Sequence, residues 1–341
     1  MRCDNDAGLR VFFAALLLLL LAAVPASARE DAVLIPDASI FYYPWYGTPA
    51  KDGAWVHWVK PETTSFASNY FPARGLYSSS DEGVVQALMR EIRAAGIEEV
   101  VSSWWGWGSP EDLRLPMVIR AAHRAGLAVA AHLEPYPGRT ILSVQSDIEH
   151  LQTLGIKRFY VYRPFDLPDA EWAALRDSIP GIQLFAQTAL VGHAATAHFD
   201  GIYTYDILQY GGGNFARLCK QAHRAHLLCL PSVGPGFDAM RATGDKRIKP
   251  RRNGKTYDSM WRAAIKAAPD GVTITSYNEW HEGTQIEPAR DTPPRSAAKL
   301  AVESYDGAYG LHGKSAQRAY LARTLFWVAA FSRAQRPELT S

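Results

Sequence analysis

Cysteine is scarce in this 341-residue chain. Cys3, Cys219 and Cys229 are the whole supply, too few for a disulfide framework. Cys219 and Cys229 both stand in apolar patterns and read as core residues. A charge of one sign is missing too: 36 Lys and Arg face 34 Asp and Glu, for a net +2. That balance gives no special attraction for nucleic acid or an anionic membrane surface. No apolar run reaches the roughly 20 residues that a membrane-spanning helix needs. The longest, VFFAALLLLLLAAV at 11–24, follows Arg2 and Arg10 and leads into small residues ending at Ala28. This is the layout of a secretory signal peptide. Residues 1–28 are therefore expected to be removed, and 29–341 to form one exported domain, periplasmic or secreted. Cofactor and metal motifs are absent as well. HEGTQ puts Gln285 where a zinc-binding HExxH would have its second histidine, and GGG at 211–213 lacks the lysine of a phosphate loop. Neither a cofactor nor a metal is expected.

What the chain has is rhythm. From residue 36 onward a short β-branched or aromatic run is followed by a loop and then by an amphipathic stretch that ends near glycine. Strands are predicted at 39–45, 98–105, 127–136, 157–164, 182–190, 199–205, 227–233 and 271–279. Helical patterns lie between most of them. DEGVVQALMREIRAAG places Val84, Val85, Leu88 and Ile92 on one face, with Asp81 as N-cap and Gly96 as stop. VGHAATAHF, after the fifth strand, is too short to read as a helix. Two stretches after the eighth strand, SAAKLAVESYDGAYG and SAQRAYLARTLFWVAAFSRAQ, supply closing helical material. Eight strands with crossovers predict a single (β/α)8 TIM-type barrel with closing C-terminal helices. A doubly wound open sheet is disfavoured, because no Gly-rich phosphate loop follows the first strand.

Active sites of such barrels lie at the carboxyl ends of the strands. Here those ends deliver aromatics and acids: Tyr43 and Tyr46 with Trp58 beyond them, Trp105, Glu134 and Tyr136, Tyr203, and finally Glu279, Trp280, His281 and Glu282. Aromatic faces suit sugar rings. Glycoside hydrolysis uses two carboxyl groups around the scissile bond. Glu279 and Glu282 can supply both from one loop, with Glu134 across the barrel. Glu134 has two readings, substrate contact or a structural ion pair with Arg139. Glu287 reads as a structural or solvated acid. The basic stretch 245–255 reads as a solvated loop between the seventh strand and its helix.

FYYPWYG, SWWG, HLEPY, FYVY, FDGIYTY, PSVGPGF and TSYNEWHEGTQIEPA, in this order, resemble glycoside hydrolase family 99, the endo-α-mannosidases. The resemblance implies a metal-independent, retaining (β/α)8 hydrolase that cuts internal α-mannosidic bonds of an oligo- or polysaccharide. It assigns the two glutamates of NEWHE, Glu279 and Glu282, to catalysis. Glu279 would take the proton of the substrate's own 2-hydroxyl, and Glu282 would protonate the leaving oxygen and then activate water. Tyr43, Tyr46, Trp105, Glu134 and Tyr203 stand where the family contacts its sugars. The second Trp of SWW, Trp105, resembles bacterial members that favour mannose in the subsite before the cleaved mannose. The segment from Tyr136 to Phe159 is shorter than the family's, and Arg163 stands where an acidic residue is expected. The expected partner is an α-mannoside glycan, with no nucleic acid, no stable membrane partner and a monomeric chain.

Overall fold

The computed structural model of the chain describes residues 34–60, 65–290 and 302–336. The expected signal peptide, 1–28, lies outside them. Among the described residues no helix is long and apolar enough to cross a membrane. These residues form eleven strands: β1 (Ala38–Tyr42), β2 (Glu99–Trp104), β3 (Ala128–Leu133), β4 (Arg158–Val161), β5 (Gln183–Gln187), β6 (Gly201–Tyr203), β7 (Leu228–Leu230), β8 (Ser232–Val233), β9 (Phe237–Asp238), β10 (Ile248–Lys249) and β11 (Val272–Ile274), all counted among the described residues. Nine of them make one parallel sheet in the order β7-β6-β5-β4-β3-β2-β1-β11-β8. At the two ends of that order stand β7 and β8, which a single residue, Pro231, separates in the chain. β7 pairs with β6 (Gly201 opposite Leu228) and β8 with β11 (Thr273 opposite Ser232). The seventh predicted strand is thus one segment interrupted by a proline that has no N–H to give the ladder, and it closes the barrel. The expected eight-stranded barrel is the fold observed.

The helices are α1 (Pro49–Asp52), α2 (Glu82–Ala94), α3 (Pro110–Arg124), α4 (Ile141–Thr153), α5 (Asp169–Ser178), α6 (Val191–Thr196), α7 (Phe215–Arg224), α8 (Met240–Thr243), α9 (Lys255–Lys266), α10 (Gly313–Gln317) and α11 (Ala319–Gln335). Their starts are chemically marked. The Asp81 carboxylate accepts the N–H groups of Gly83 and Val84 at the head of α2, Ser109 caps α3, and Thr140 with Ser143 forms a capping box on α4. On α2, Val85, Leu88, Met89 and Ile92 are buried against the sheet. The stretch after the fifth strand does fold as a short helix, α6, with Ala194 buried. The described part of the first closing stretch does not. Only a 3-10 turn forms at Ala308–Gly310, because Gly307, Tyr309 and Gly310 all take positive φ.

Cys219 on α7 and Cys229 on β7 are fully buried, as core residues should be, and they are bonded to each other as a disulfide. The core reading holds, and the single bond between them is a feature the sequence reading did not include. The helix packs directly on the strand that follows it, which brings the two Cα atoms to 5.2 Å.

Inside the barrel, Phe41, Tyr160, Phe185, Tyr203 and Tyr205 form a packed aromatic cluster. Two larger clusters fill the space between sheet and helices. The barrel interior is a filled core.

Candidate active site

The segment after β11 carries both acids and is tied down from every side. Ser276 Oγ accepts the N–H of Glu279 (2.8 Å) and bonds to Thr284 Oγ1 (2.9 Å). The Asn278 side chain accepts the Tyr43 N–H (2.8 Å) and donates to the Tyr43 carbonyl (3.0 Å), joining the loop to the end of β1. Tyr46 donates its O–H to the Asn278 carbonyl (2.8 Å) and accepts the Trp280 N–H (3.1 Å). The Trp280 indole donates to Glu287 (2.9 Å), which also accepts the Tyr77 hydroxyl (2.8 Å) and the Arg74 guanidinium (3.1 Å). Glu287 is thus a structural acid, fully buried.

A hairpin holds the other end of the loop. The Asp238 N–H on β9 donates to the Glu282 carbonyl (2.8 Å). Gly283 has φ of +63°, and a Cβ there would lie 3.1–3.2 Å from the Asp238 backbone, so glycine serves both the turn and the close approach. Just beyond β10, Arg251 donates from Nη2 to the Gly283 and Gln285 carbonyls (2.8 and 2.7 Å). Its guanidinium sits 4.7–4.8 Å from the ring centres of Tyr70, Tyr305 and Tyr320. The basic stretch expected to be a solvated loop therefore buries one arginine under the segment that carries Glu279 and Glu282.

The cleft above these supports has a volume of about 190 Å³ and is lined by Tyr43, Trp45, Trp105, Glu134, Pro135, Tyr162, Tyr205, Glu279 and Glu282. Through Tyr162, Tyr205 and Glu282 it continues into a cavity of about 230 Å³ that includes Asp206, Phe237, Thr243, Asp245 and Arg247. A larger cavity of about 410 Å³, between Trp55, His57, Lys60 and His281, has no carboxylate among the described residues of its lining. Among the described residues, no group of three or more His, Cys, Asp or Glu side chains is arranged to hold a metal ion.

Five of the expected site residues therefore share the cleft: Tyr43, Trp105, Glu134, Glu279 and Glu282. The others lie elsewhere. Tyr46, Trp58, Trp280 and Tyr203 are buried behind its wall. Trp58 stacks on Tyr46 and donates its N–H to the Tyr77 carbonyl (2.7 Å). Tyr203 bonds to His132 Nε2 (2.9 Å). Tyr136 turns its hydroxyl away to Asp147 and Ser143. His281 faces the larger cavity, with Nε2 bonded to the His57 carbonyl. These six do not line the cleft that holds Glu279 and Glu282. Strand-end position alone does not tell which way a ring points, and large aromatics at a tight rim pack on one another. Conversely, Trp45, Tyr162, Tyr205 and Asp206 line the cleft, and each lies within a few residues of a strand end. That position was the available signal. Glu134 accepts the Ser103 hydroxyl (2.8 Å) and lies 3.0 Å from His132 Nδ1. Arg139 instead donates to the Tyr162 and Arg163 carbonyls, so the ion pair with Glu134 is not formed.

Electrostatics sets the acids apart. Burial, then the adjacent Glu282 and Glu134 carboxylates, push the Glu279 carboxyl well above the usual range, against N–H groups from His281 and Glu282. Burial also pushes Glu282 up to about 7, with Asp206, Glu134 and Asp245 adding to it and Arg247 opposing. The two titrate as a pair. His57 and His281 are pushed down by burial, His57 to about 4, so both are neutral near pH 7. The site is thus a partly enclosed cleft with aromatic walls and two carboxyl groups that keep protons to unusually high pH. That equipment suits protonation of a glycosidic oxygen.

Comparison with known proteins agrees. The model of the glycosyl hydrolase family 99 matches residues 59–333. A glycoprotein endo-alpha-1,2-mannosidase-like protein of Danio rerio is 32% identical over 90% of this chain and 81% of its own length. The glycoprotein endo-alpha-1,2-mannosidase of Xenopus laevis is 31% identical over 79% of this chain and 73% of its own. A solved GH99 endo-alpha-mannosidase from Bacteroides thetaiotaomicron superposes with a TM-score of 0.80 at 29% identity, over 89% of this chain and 100% of that one. With its cleft, its barrel and these relatives in agreement, this chain is a glycoside hydrolase and belongs to glycosyl hydrolase family 99.

Proposed function

We propose that this chain is an exported, endo-acting, retaining α-mannosidase that cuts internal α-1,2-mannosidic bonds of mannan or N-glycan-like oligosaccharides. The observation that carries the reading is the pair Glu279 and Glu282 in one aromatic cleft of a family 99 barrel. The endo-α-1,2-mannosidase relatives support the bond type. Export is supported by the signal-like N-terminus and by the Cys219–Cys229 disulfide, since disulfides persist in oxidising compartments.

The roles are those the family resemblance implies, and the electrostatics supports the first of them. A carboxyl group that holds its proton to about pH 7 is suited to donate it, so Glu282 protonates the leaving oxygen as the C1–O bond breaks. Glu279 takes the proton from the substrate's 2-hydroxyl while O2 attacks C1, closing a 1,2-anhydro sugar. For this step the pair carries one proton, on Glu282, and burial makes the ionised Glu279 carboxylate a strong base. In the second half Glu282, now ionised, takes a proton from water, and the water oxygen bonds to C1. The C1–O2 bond then opens, and Glu279 returns its proton to O2. Two inversions at C1 leave the α configuration. Trp105 supplies a half-exposed face for the neighbouring sugar, and Glu134 an acceptor for a hydroxyl.

The test is incubation of the mature chain, alongside Glu282→Gln, with α-1,2-branched mannan, reading product mass and anomer by NMR. An α-configured oligosaccharide formed first, and missing with the variant, is the expected result. A β anomer formed first would end the retaining mechanism. Absence of product from any α-mannoside would end the mannosidase assignment.

A further inference from the structure

Trp107 lies two residues beyond Trp105 and is 65% exposed. Isolated exposed apolar residues are common; this one is held rigidly. Its indole is stacked on the His150 imidazole, with ring centres 4.3 Å apart and planes 13° from parallel. His150 is fixed in turn by Asp112, whose Oδ1 lies 2.8 Å from Nε2. Asp112 also accepts the Trp104 indole N–H and the Gly108 N–H, each at 2.9 Å. One face of Trp107 is therefore backed by a fixed ring while much of the indole is open to water.

Its place along the chain matters as much. Gly106 has φ of +106°, and a Cβ there would lie 3.4 Å from the Tyr136 ring. The segments 105–107 and 134–136 thus run against each other at the edge of the cleft. Their inner members, Trp105, Glu134 and Pro135, line it; the Tyr136 ring packs on Gly106, and Trp107 follows directly with its indole 65% exposed. The direction follows from the acids and rests on the roles proposed for them above. Glu282 borders both parts of the cleft, whereas Glu279 borders only the Trp105 part. With Glu282 protonating the leaving oxygen, the departing sugar lies toward Asp206 and the retained sugars toward Trp105.

We propose that Trp107 is an outer platform on which one further hexopyranose, at the non-reducing end of the glycan, stacks beyond Trp105. A fixed apolar plane binds a sugar face with little loss of side-chain freedom.

The test reads binding, so it does not depend on turnover. Linear α-mannose oligosaccharides that differ by one non-reducing-end sugar are titrated calorimetrically into the full chain carrying Glu282→Gln, with and without Trp107→Ala. With Trp107 present, the extra sugar tightens binding about tenfold, or about 1.4 kcal/mol. With Trp107→Ala that gain disappears, and Trp107→Phe recovers part of it. An equal gain with and without Trp107, or no gain in either, overturns the platform. Hydrolysis by the chain with native Glu282 is followed on the same compounds. If the Trp107-dependent gain is present but nothing is hydrolysed, the mannosidase assignment falls and the platform stands. If hydrolysis occurs without the gain, the platform falls alone.

Discussion

At the amino-terminal end of the barrel Glu99 lies in a closed set of partners. It accepts the Ser39 hydroxyl (2.9 Å) and the Tyr160 hydroxyl (3.2 Å) and is ion-paired with Arg158. Arg158 also donates to the Leu34 carbonyl (2.7 Å) and to Gln183 (2.9 Å). At the carboxyl-terminal end Glu279 is as deeply buried, but among the described residues no Lys or Arg forms an ion pair with it, with Glu282 or with Glu134. Its neighbours are other carboxylates. A buried negative charge is tolerated where a cation and hydrogen bonds answer it, and it is driven toward the neutral form where like charges surround it. One end of the barrel therefore uses its acid for architecture. The other keeps acids in a state that the fold alone does not favour, as a site for proton transfer requires.

Exchanging glutamine for glutamate at each end gives the largest contrast. Glu282→Gln removes the donor of the leaving-group proton, and kcat on an α-mannoside should fall roughly 10²–10⁴-fold, with no loss of stability at pH 7. Glu99→Gln leaves Arg158 buried without its counter-charge. It should destabilise by about 3–5 kcal/mol, while the folded fraction retains its kcat. Chemical denaturation and kinetics on the same two proteins measure both quantities. If Glu99→Gln abolished turnover with stability intact, the division between the two ends would be broken.

The pH dependence sharpens the same contrast. Glu279, Glu282 and Glu287 all have carboxyls pushed up in the folded chain, the last two to about 7. Between about pH 4.5 and 7 the folded state therefore holds protons that the unfolded chain has released. Stability contributed by these groups is full below that window and is lost as pH rises through it. Tm should fall from pH 5 to pH 8, and Glu279→Gln should flatten the fall. The rate should lose its acid form as pH rises through about 7, giving kcat an upper limb there. A Tm that climbs across this window in the parent chain would contradict the arrangement.

The barrel was legible because its signals are periodic. Strands rich in β-branched and aromatic residues alternated with capped amphipathic helices, and each strand fell within a few residues of its predicted place. The split at Pro231 and the short α6 were the local surprises. The site was legible in part. Glu279, Glu282, Glu134, Tyr43 and Trp105 come together, because strand ends must converge at one rim. The pattern of residues says nothing about which aromatic ring faces the cleft and which backs it. Tyr46, Trp58 and Trp280 are hydrogen-bonded into the wall, while Tyr205 and Tyr162 face the substrate side. The Cys219–Cys229 bond was hidden for a related reason, since the same apolar context suits a free core thiol and a bonded pair. Arg251 was misjudged because five Lys and Arg surround it between 245 and 255, and nothing in such a run marks the one that turns inward under Tyr70, Tyr305 and Tyr320.

The smallest effect separates ring from ring within that aromatic wall. Trp58→Phe removes one indole N–H that the Tyr77 carbonyl accepts, and it leaves an aromatic face for Tyr46. The Tyr77 carbonyl is buried there, so the loss is about 1 kcal/mol, seen as a lower Tm. Because Trp58 is 1% exposed, KM should stay at the parent value. Trp105→Ala should behave in the opposite sense. Its ring is 36% exposed at the cleft, so KM should rise several-fold, consistent with an aromatic contact of about 1 kcal/mol, with little change in Tm. Were Trp58→Phe to raise KM with Tm unmoved, Trp58 would touch the sugar after all, and the wall would have to open when substrate binds.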